Sequence, residues 1–361
     1  MPLDLLSLTA QLVDIPSESH HEDTITDWIE QYLSGAEHLE TTRVGLNLVA
    51  RTQLGRQFRL IIAGHTDTVP INSNVPSRRQ GDTLWGCGTS DMKSGLAVML
   101  TLARHVCEPS IDVTYVFYEA EEVEGYFNGL KKLFELRPDL MAADVALLGE
   151  PTDGVIEAGC QGTMRLRLVL RGARAHTARP WMGRNAIHRL GDVLQRLSTY
   201  QERRPVIDGC EYREALQAVL VNGGIAGNVV PDEVTLTINH RFAPDRTPDE
   251  AEGHVRALLA GVVEDTDELE LVDLSNGAAP ALEHPVLAAL IARNDLTIRA
   301  KLGWTDVARF AEHGIPAANF GPGDATLAHT REERVEREPI HRTYAALLDL
   351  LEHGAERAVS A

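Results

Sequence analysis

Apolar positions recur at helical spacing over residues 3–13 and again over 22–33, where Ile25, Trp28, Ile29 and Leu33 share one face. Pro16 closes the first segment. Short apolar runs then predict strands over residues 46–50, 58–63, 111–118 and 145–148, and one more opens the stretch 316–329. A helical run fills 96–106. Strands alternating with helices predict an α/β fold whose mostly parallel sheet is flanked by helices. The texture changes in the middle. Residues 164–170 and 233–240 alternate polar with apolar positions, as one-sided strands do, and 184–197 and 250–262 read as amphipathic helices. This predicts an α+β module, residues 163–279, inserted into a larger domain formed by 1–162 and 280–361. The return falls at Asn276-Gly-Ala-Ala-Pro280.

Composition narrows the class. A chain of 361 residues with 43% apolar and 24% charged residues is an ordinary globular protein of two-domain size. A formal charge of -19 argues against nucleic acid or an anionic membrane surface as a partner. It leaves an anionic small molecule open, because a local Arg cluster overrules the global field. The opening Met-Pro-Leu-Asp-Leu-Leu has neither a basic leader nor a long apolar core, so no signal peptide is expected. No run approaches the roughly 18 apolar residues of a membrane span. Cys87, Cys107, Cys160 and Cys210 are scattered and read as reduced thiols of a cytoplasmic protein.

The chemistry gathers where the strands stop. The run at 60–63 ends at Gly64, and His65 and Asp67 follow, two apart, as a metal ligand and its orienting partner would. Asp91 stands just before a helix, in a place that suits an N-cap or a carboxylate bridging two cations. The strand 111–118 runs into Glu119-Ala-Glu-Glu-Val-Glu124, whose adjacent acids repel unless a cation or proton intervenes. Each of these reads also as a solvated loop when taken alone. Glu150 then follows another apolar strand and a Gly, and His329 ends a glycine-rich loop. His20 and His21 are read as surface residues. Two imidazoles and several carboxylates without thiolate suit zinc or a similar divalent ion. A shared Asp with one carboxylate and one His on each side suits two cations about 3.5–4 Å apart, which polarise an amide carbonyl and activate water. Of the doublet Glu121-Glu122, one is then a ligand and one the base that moves the proton.

G-H-T-D-T-V-P (64–70), S-D-M-K-S-G (90–95), A-E-E-V-E-G (120–125), G-E-P (149–151) and A-H-T (328–330), in this order, resemble the di-zinc aminoacylase/carboxypeptidase clan over essentially the whole chain. The resemblance implies that His65, Asp91 and Glu150 hold one zinc and that Asp91, Glu122 and His329 hold the other, with cobalt or manganese able to substitute. It makes Glu121 the general base, Asp67 the residue that orients His65, and the Asp91-Met92 peptide cis. Ala120 departs from the pattern, since an Asp commonly precedes the two glutamates. The inserted module resembles the clan's lid and dimerisation domain. There His176 would reach the partner subunit's site in a homodimer and stabilise the oxyanion. Asn228 would face substrate, and Arg241 would grip a carboxylate with its planar fork.

Within the clan, Gly303-Trp-Thr-Asp-Val-Ala-Arg-Phe310 and Phe320-Gly-Pro-Gly-Asp-Ala-Thr-Leu-Ala-His329 resemble the desuccinylase branch, in its actinobacterial form. This maps substrate-binding roles to Thr305 and Arg309. The matching loop of that branch is one residue shorter, and Cys160-Gln161 stands where it carries a basic pair. The implied reaction is hydrolysis of the small anionic acyl-amino acid N-succinyl-L,L-diaminopimelate, with Arg241 and Arg309 drawing so anionic a substrate to an acidic protein. Acetylornithine deacetylation, acylamino-acid hydrolysis or dipeptide cleavage keeps the same chemistry. A catalytically dead binding member of the fold is the third reading, and the presence of all five ligands and Glu121 speaks against it.

Overall fold

The computed structural model describes residues 4–355, so Leu3, counted in the first predicted helix, lies outside the described residues. The chain divides into two compact units. The first takes Met1–Ala158, Ala281–Arg299 and Arg309–Ala361, and the second takes Gly159–Pro280 and Ala300–Ala308. The segment 300–308 was expected in the first domain. It joins the second because Gln161 Nε2 donates to Leu302 O (3.1 Å) and Trp304 Nε1 to Asn276 O (3.1 Å).

An eight-stranded sheet forms the first unit. Its order is Glu40–Val44, Asn47–Arg51, Asp112–Tyr118, Arg59–His65, Val145–Leu148, Ala317–Asn319, Ile156–Ala158 and Ile298–Ala300. The four central strands, from Asp112–Tyr118 to Ala317–Asn319, are parallel. They are buried on both faces, which explains their unbroken apolar runs. The edges turn antiparallel. Helices Leu5–Val13, Asp23–Leu33, Ser94–His105, Pro285–Arg293 and Arg337–His353 contribute to one continuous apolar core with this sheet. Helix Ser94–His105 makes one very close approach. A Cβ on Gly95 would stand 2.3 Å from Gly149 O, so only glycine lets this helix lie against the chain just before Glu150.

The second unit is an antiparallel sheet in the order Ala215–Gly223, Glu233–Phe242, Gly162–Arg171 and Glu268–Ser275. Helices Ala186–Ser198 and Pro248–Leu258 share its core. The two edge strands were missing from the sequence reading. Ala215–Gly223 carries apolar side chains that stay exposed, so it shows no in-out alternation. Glu268–Ser275 does alternate and is the one whose signal was present.

His240 lies fully buried in this unit, and neither ring nitrogen has a hydrogen-bond partner among the described residues. Burial lowers its pKa to about 4, aided by His254, Arg246 and Arg203 and opposed by Glu214. The unfolded imidazole titrates near 6.5. The unfolded chain therefore binds the extra proton between these values, and stability falls as pH drops from about 6.5 to about 4. At about 1.4 kcal/mol per pKa unit the loss reaches roughly 3 kcal/mol. Urea unfolding across this window should show the slope, and His240→Leu should flatten it. An equal slope in that variant would assign the proton elsewhere.

Candidate active site

The parallel register sets the strand ends side by side. His65 stands opposite Tyr118, Ala63 opposite Leu148, and Leu148 opposite Asn319. The loops that leave these ends deliver His65, the Glu121-Glu122 doublet, Glu150 and His329, at the carboxyl edge where α/β sheets gather their chemistry.

Among the described residues, His65, Asp91 and Glu150 have ligand-type atoms all within 4.8 Å of one another. Asp91, Glu122 and His329 form a second such group, and His65, Glu121 and Glu122 a third. Asp91 joins the first two. His65 Nε2 lies 3.0 Å from Asp91 Oδ1, and His329 Nε2 lies 3.6 Å from Asp91 Oδ2 and 2.9 Å from Glu122 Oε1. The donors are imidazole and carboxylate, with no thiolate among them. This set fits two divalent cations sharing Asp91.

The titration behaviour follows from this crowding. Burial disfavours the charged form of Asp91, but the His329 and His65 rings outweigh it and hold the carboxyl well below the usual range. Burial also opposes the imidazolium of His65, yet Asp67 and Asp91 keep its pKa well above the ordinary value. Hydrogen bonds to Asp91 and Glu122 push His329 up to about 10.

Asp91 does not cap a helix. The helix starts three residues later, at Ser94, and the Asp91-Met92 peptide is cis. What fixes Asp91 is Glu333, which the sequence reading missed. Glu333 Oε1 accepts the N–H groups of Ser90 (2.9 Å) and Asp91 (3.0 Å), and Oε2 accepts that of Gly88 (3.1 Å). Burial outweighs these three donors and raises its pKa to about 7. A small sheet of Arg334–Glu336, Thr83–Trp85 and Arg78–Gln80 brings Glu333 beside this loop.

Asp67 meets its expected partner, His65, and further ones besides. His65 Nδ1 is 3.1 Å from the Asp67 backbone oxygen and 3.4 Å from its Oδ1. The carboxylate accepts the N–H of Glu121 (3.0 Å), the N–H of Glu122 (3.1 Å) and the Ser19 hydroxyl (2.7 Å). It therefore braces the glutamate doublet as much as the imidazole. Arg309 lies beside the same loop, its guanidinium 3.0 Å from where a Cβ on Gly125 would stand.

In the second unit, His176 and Asn228 come together. The Thr177 N–H donates to Asn228 O (3.1 Å), and His176 bridges to Val229. Both residues are exposed. His176 Nδ1 accepts the Ala178 N–H at 3.0 Å, which leaves the proton of a neutral ring on Nε2. Arg241 is partly buried and finds no hydrogen-bond acceptor among the described residues. Burial lowers the pKa of its guanidinium. Thr305 is buried, and its hydroxyl also has no partner there.

Residues 61–353 match the peptidase family M20/M25/M40. The chain belongs to this family. It is accordingly an amide-hydrolysing enzyme of the M20/M25/M40 fold. A Corynebacterium glutamicum protein named succinyl-diaminopimelate desuccinylase is 46% identical over 360 residues, covering 97% of each chain. A Mycobacterium tuberculosis relative, which carries the same enzyme name as a provisional one, is 52% identical over 349 residues, covering 96% of this chain and 97% of its own. Among solved structures, a tripeptidase from Staphylococcus aureus superposes with a TM-score of 0.78 at 21% identity, covering 97% of this chain and 98% of the other. That likeness is one of overall fold. No helix among the described residues is long and apolar enough to cross a membrane.

Proposed function

We propose that this protein is a cytoplasmic di-zinc hydrolase that cleaves N-succinyl-L,L-2,6-diaminopimelate to succinate and L,L-2,6-diaminopimelate. The observation that carries the chemistry is the pair of ligand groups joined at Asp91 with a further carboxylate, Glu121, beside them. His65, Asp91 and Glu150 hold one ion, and Asp91, Glu122 and His329 the other. Glu122 is the ligand of the doublet because it lies 2.9 Å from His329 Nε2. When bound, the ions polarise the scissile carbonyl and acidify water. Glu121 takes the proton at its carboxylate and hands it to the leaving amine. The names of the two relatives support the choice of acyl group and amino acid. Arg241 supports it too, as a part-buried guanidinium without an acceptor suits a substrate carboxylate. Thr305, Asn228 and Arg309 supply the remaining substrate contacts.

The active form is a homodimer. Ala215–Gly223 is an edge strand with Leu220 and Val221 more than 60% exposed, a surface that pairs readily with a second copy. His176 acts in trans through Nε2–H on the developing oxyanion. His176→Ala is expected to lower kcat roughly 10²–10³-fold while KM changes much less, as for a lost oxyanion donor. An unchanged kcat removes that role, and sedimentation of the wild type as a monomer removes the dimer.

The test of the whole reading is amide cleavage of N-succinyl-L,L-diaminopimelate by stripped protein titrated with zinc. Turnover above the metal-free control is expected. N-acetylornithine and dipeptides serve as the competing substrates, and preference for either reassigns the acyl group.

A further inference from the structure

The doublet Glu121-Glu122 leaves its strand through Ala120, which is 1% exposed and has φ +55°. A residue with a Cβ is disfavoured in this left-handed region, so other contacts must hold it there. Three successive N–H groups do so. Those of Glu121 and Glu122 donate to Asp67, as described above. That of Ala120 donates to Glu22 Oε1 at 3.0 Å.

Glu22 sits at the head of helix Asp23–Leu33 but its side chain does not cap that helix. It is 0% exposed, and its Oε2 has no hydrogen-bond partner among the described residues. It ends a strap that also holds the His65 loop. Ser17 Oγ donates to Thr66 O (2.7 Å), Ser19 Oγ to Asp67 Oδ2 (2.7 Å), and Glu18 Oε1 accepts the Ile71 N–H (2.7 Å). The strap thus ties the loop after His65 to the loop of the doublet, and Glu22 supplies the tie to Ala120. A side chain this buried, leaving its own helix uncapped and bonded to the strained residue immediately before Glu121, has a positional task.

We propose that Glu22 is a positioning residue for Glu121: its buried carboxyl fixes the left-handed turn at Ala120 and so aims the neighbouring carboxylate at the reacting water. This rests on Glu121 being the base. A misplacement of about 1 Å at a reacting group costs on the order of 10²-fold. Glu22→Met keeps the length of the side chain but offers only a weakly accepting thioether sulfur. It is expected to lower kcat about 10–100-fold, with KM and bound metal close to wild type. Glu22→Gln, whose amide oxygen accepts the same N–H, is expected to restore kcat to within about threefold.

Wild-type kcat in Glu22→Met overturns the proposal. So does a Glu22→Gln variant as slow as Glu22→Met, or loss of metal in parallel with loss of rate. Should Glu22→Met not fold, hydrogen exchange at the Ala120 amide of the wild type decides. Protection comparable to the strand before it supports the tie, and exchange at the rate of a solvated loop removes it. Glu121→Gln is assayed alongside. If it stays active, the base assignment falls and this proposal with it. If it is inactive while Glu22→Met is normal, only the role of Glu22 falls.

Discussion

Glu121→Gln is expected to bind its metal ions as the wild type does and to lose about 10²–10⁴-fold of turnover, the usual worth of a general base. The substitution is nearly isosteric, and the Glu121 backbone N–H that Asp67 accepts is untouched. Glutamine has no site for the proton that must travel from water to amine. Metal content should hold because the two groups joined at Asp91 do not need Glu121: His65, Asp91 and Glu150 form one, and Asp91, Glu122 and His329 the other. The third group, His65 with Glu121 and Glu122, is what makes the outcome informative. If Glu121 were a ligand, its loss would lower metal content along with rate. Elemental analysis beside kcat separates the two cases, and a variant near the wild-type rate would place the base on another residue.

The groups at the strand ends were legible because two signals coincide there. An apolar, β-branched run marks a strand buried on both faces, and a Gly or an acid directly after it marks where that strand leaves the core. His65, Glu121, Glu122 and Glu150 all carry this pairing. Glu333 does not. It lies in Arg-Glu-Glu-Arg (331–334), a run indistinguishable from a solvated face, and its burial arises only when Arg334–Glu336 pairs with Thr83–Trp85. Glu22 was hidden for a related reason, since an acid at a helix start looks like a partner for the helix dipole. Segment 300–308 escaped because its attachment to the second unit uses hydrogen bonds to backbone oxygens, which no side-chain pattern announces. Long-range backbone donors and acceptors, the material that positions this site, carry no residue-type signature.

Stripping the metal should silence the enzyme, since the lost polarisation of the carbonyl is worth several kcal/mol, on the order of 10³-fold or more in rate. The stronger test lies in the protons. Without metal, His329 carries a raised pKa of about 10 and His65 one well above 6.5, each held charged by the carboxylates it touches. A group with a raised folded pKa adds stability that is complete below its unfolded value, near 6.5, and is lost as pH rises through the folded one. For His329 that window runs from about 6.5 to about 10. A ligating imidazole must be neutral, so each ring gives up its proton when the ion enters. Asp91 gives up none, being ionised throughout this range. Loading at pH 7 is therefore expected to release about two protons per chain, one with each ion, and the affinity for each ion should rise roughly tenfold per pH unit there. Titration calorimetry in buffers of different ionisation enthalpy counts those protons. His329→Ala should remove one of them. Metal uptake without proton release would mean that neither imidazole ligates, and the cage joined at Asp91 would lose its nitrogen donors.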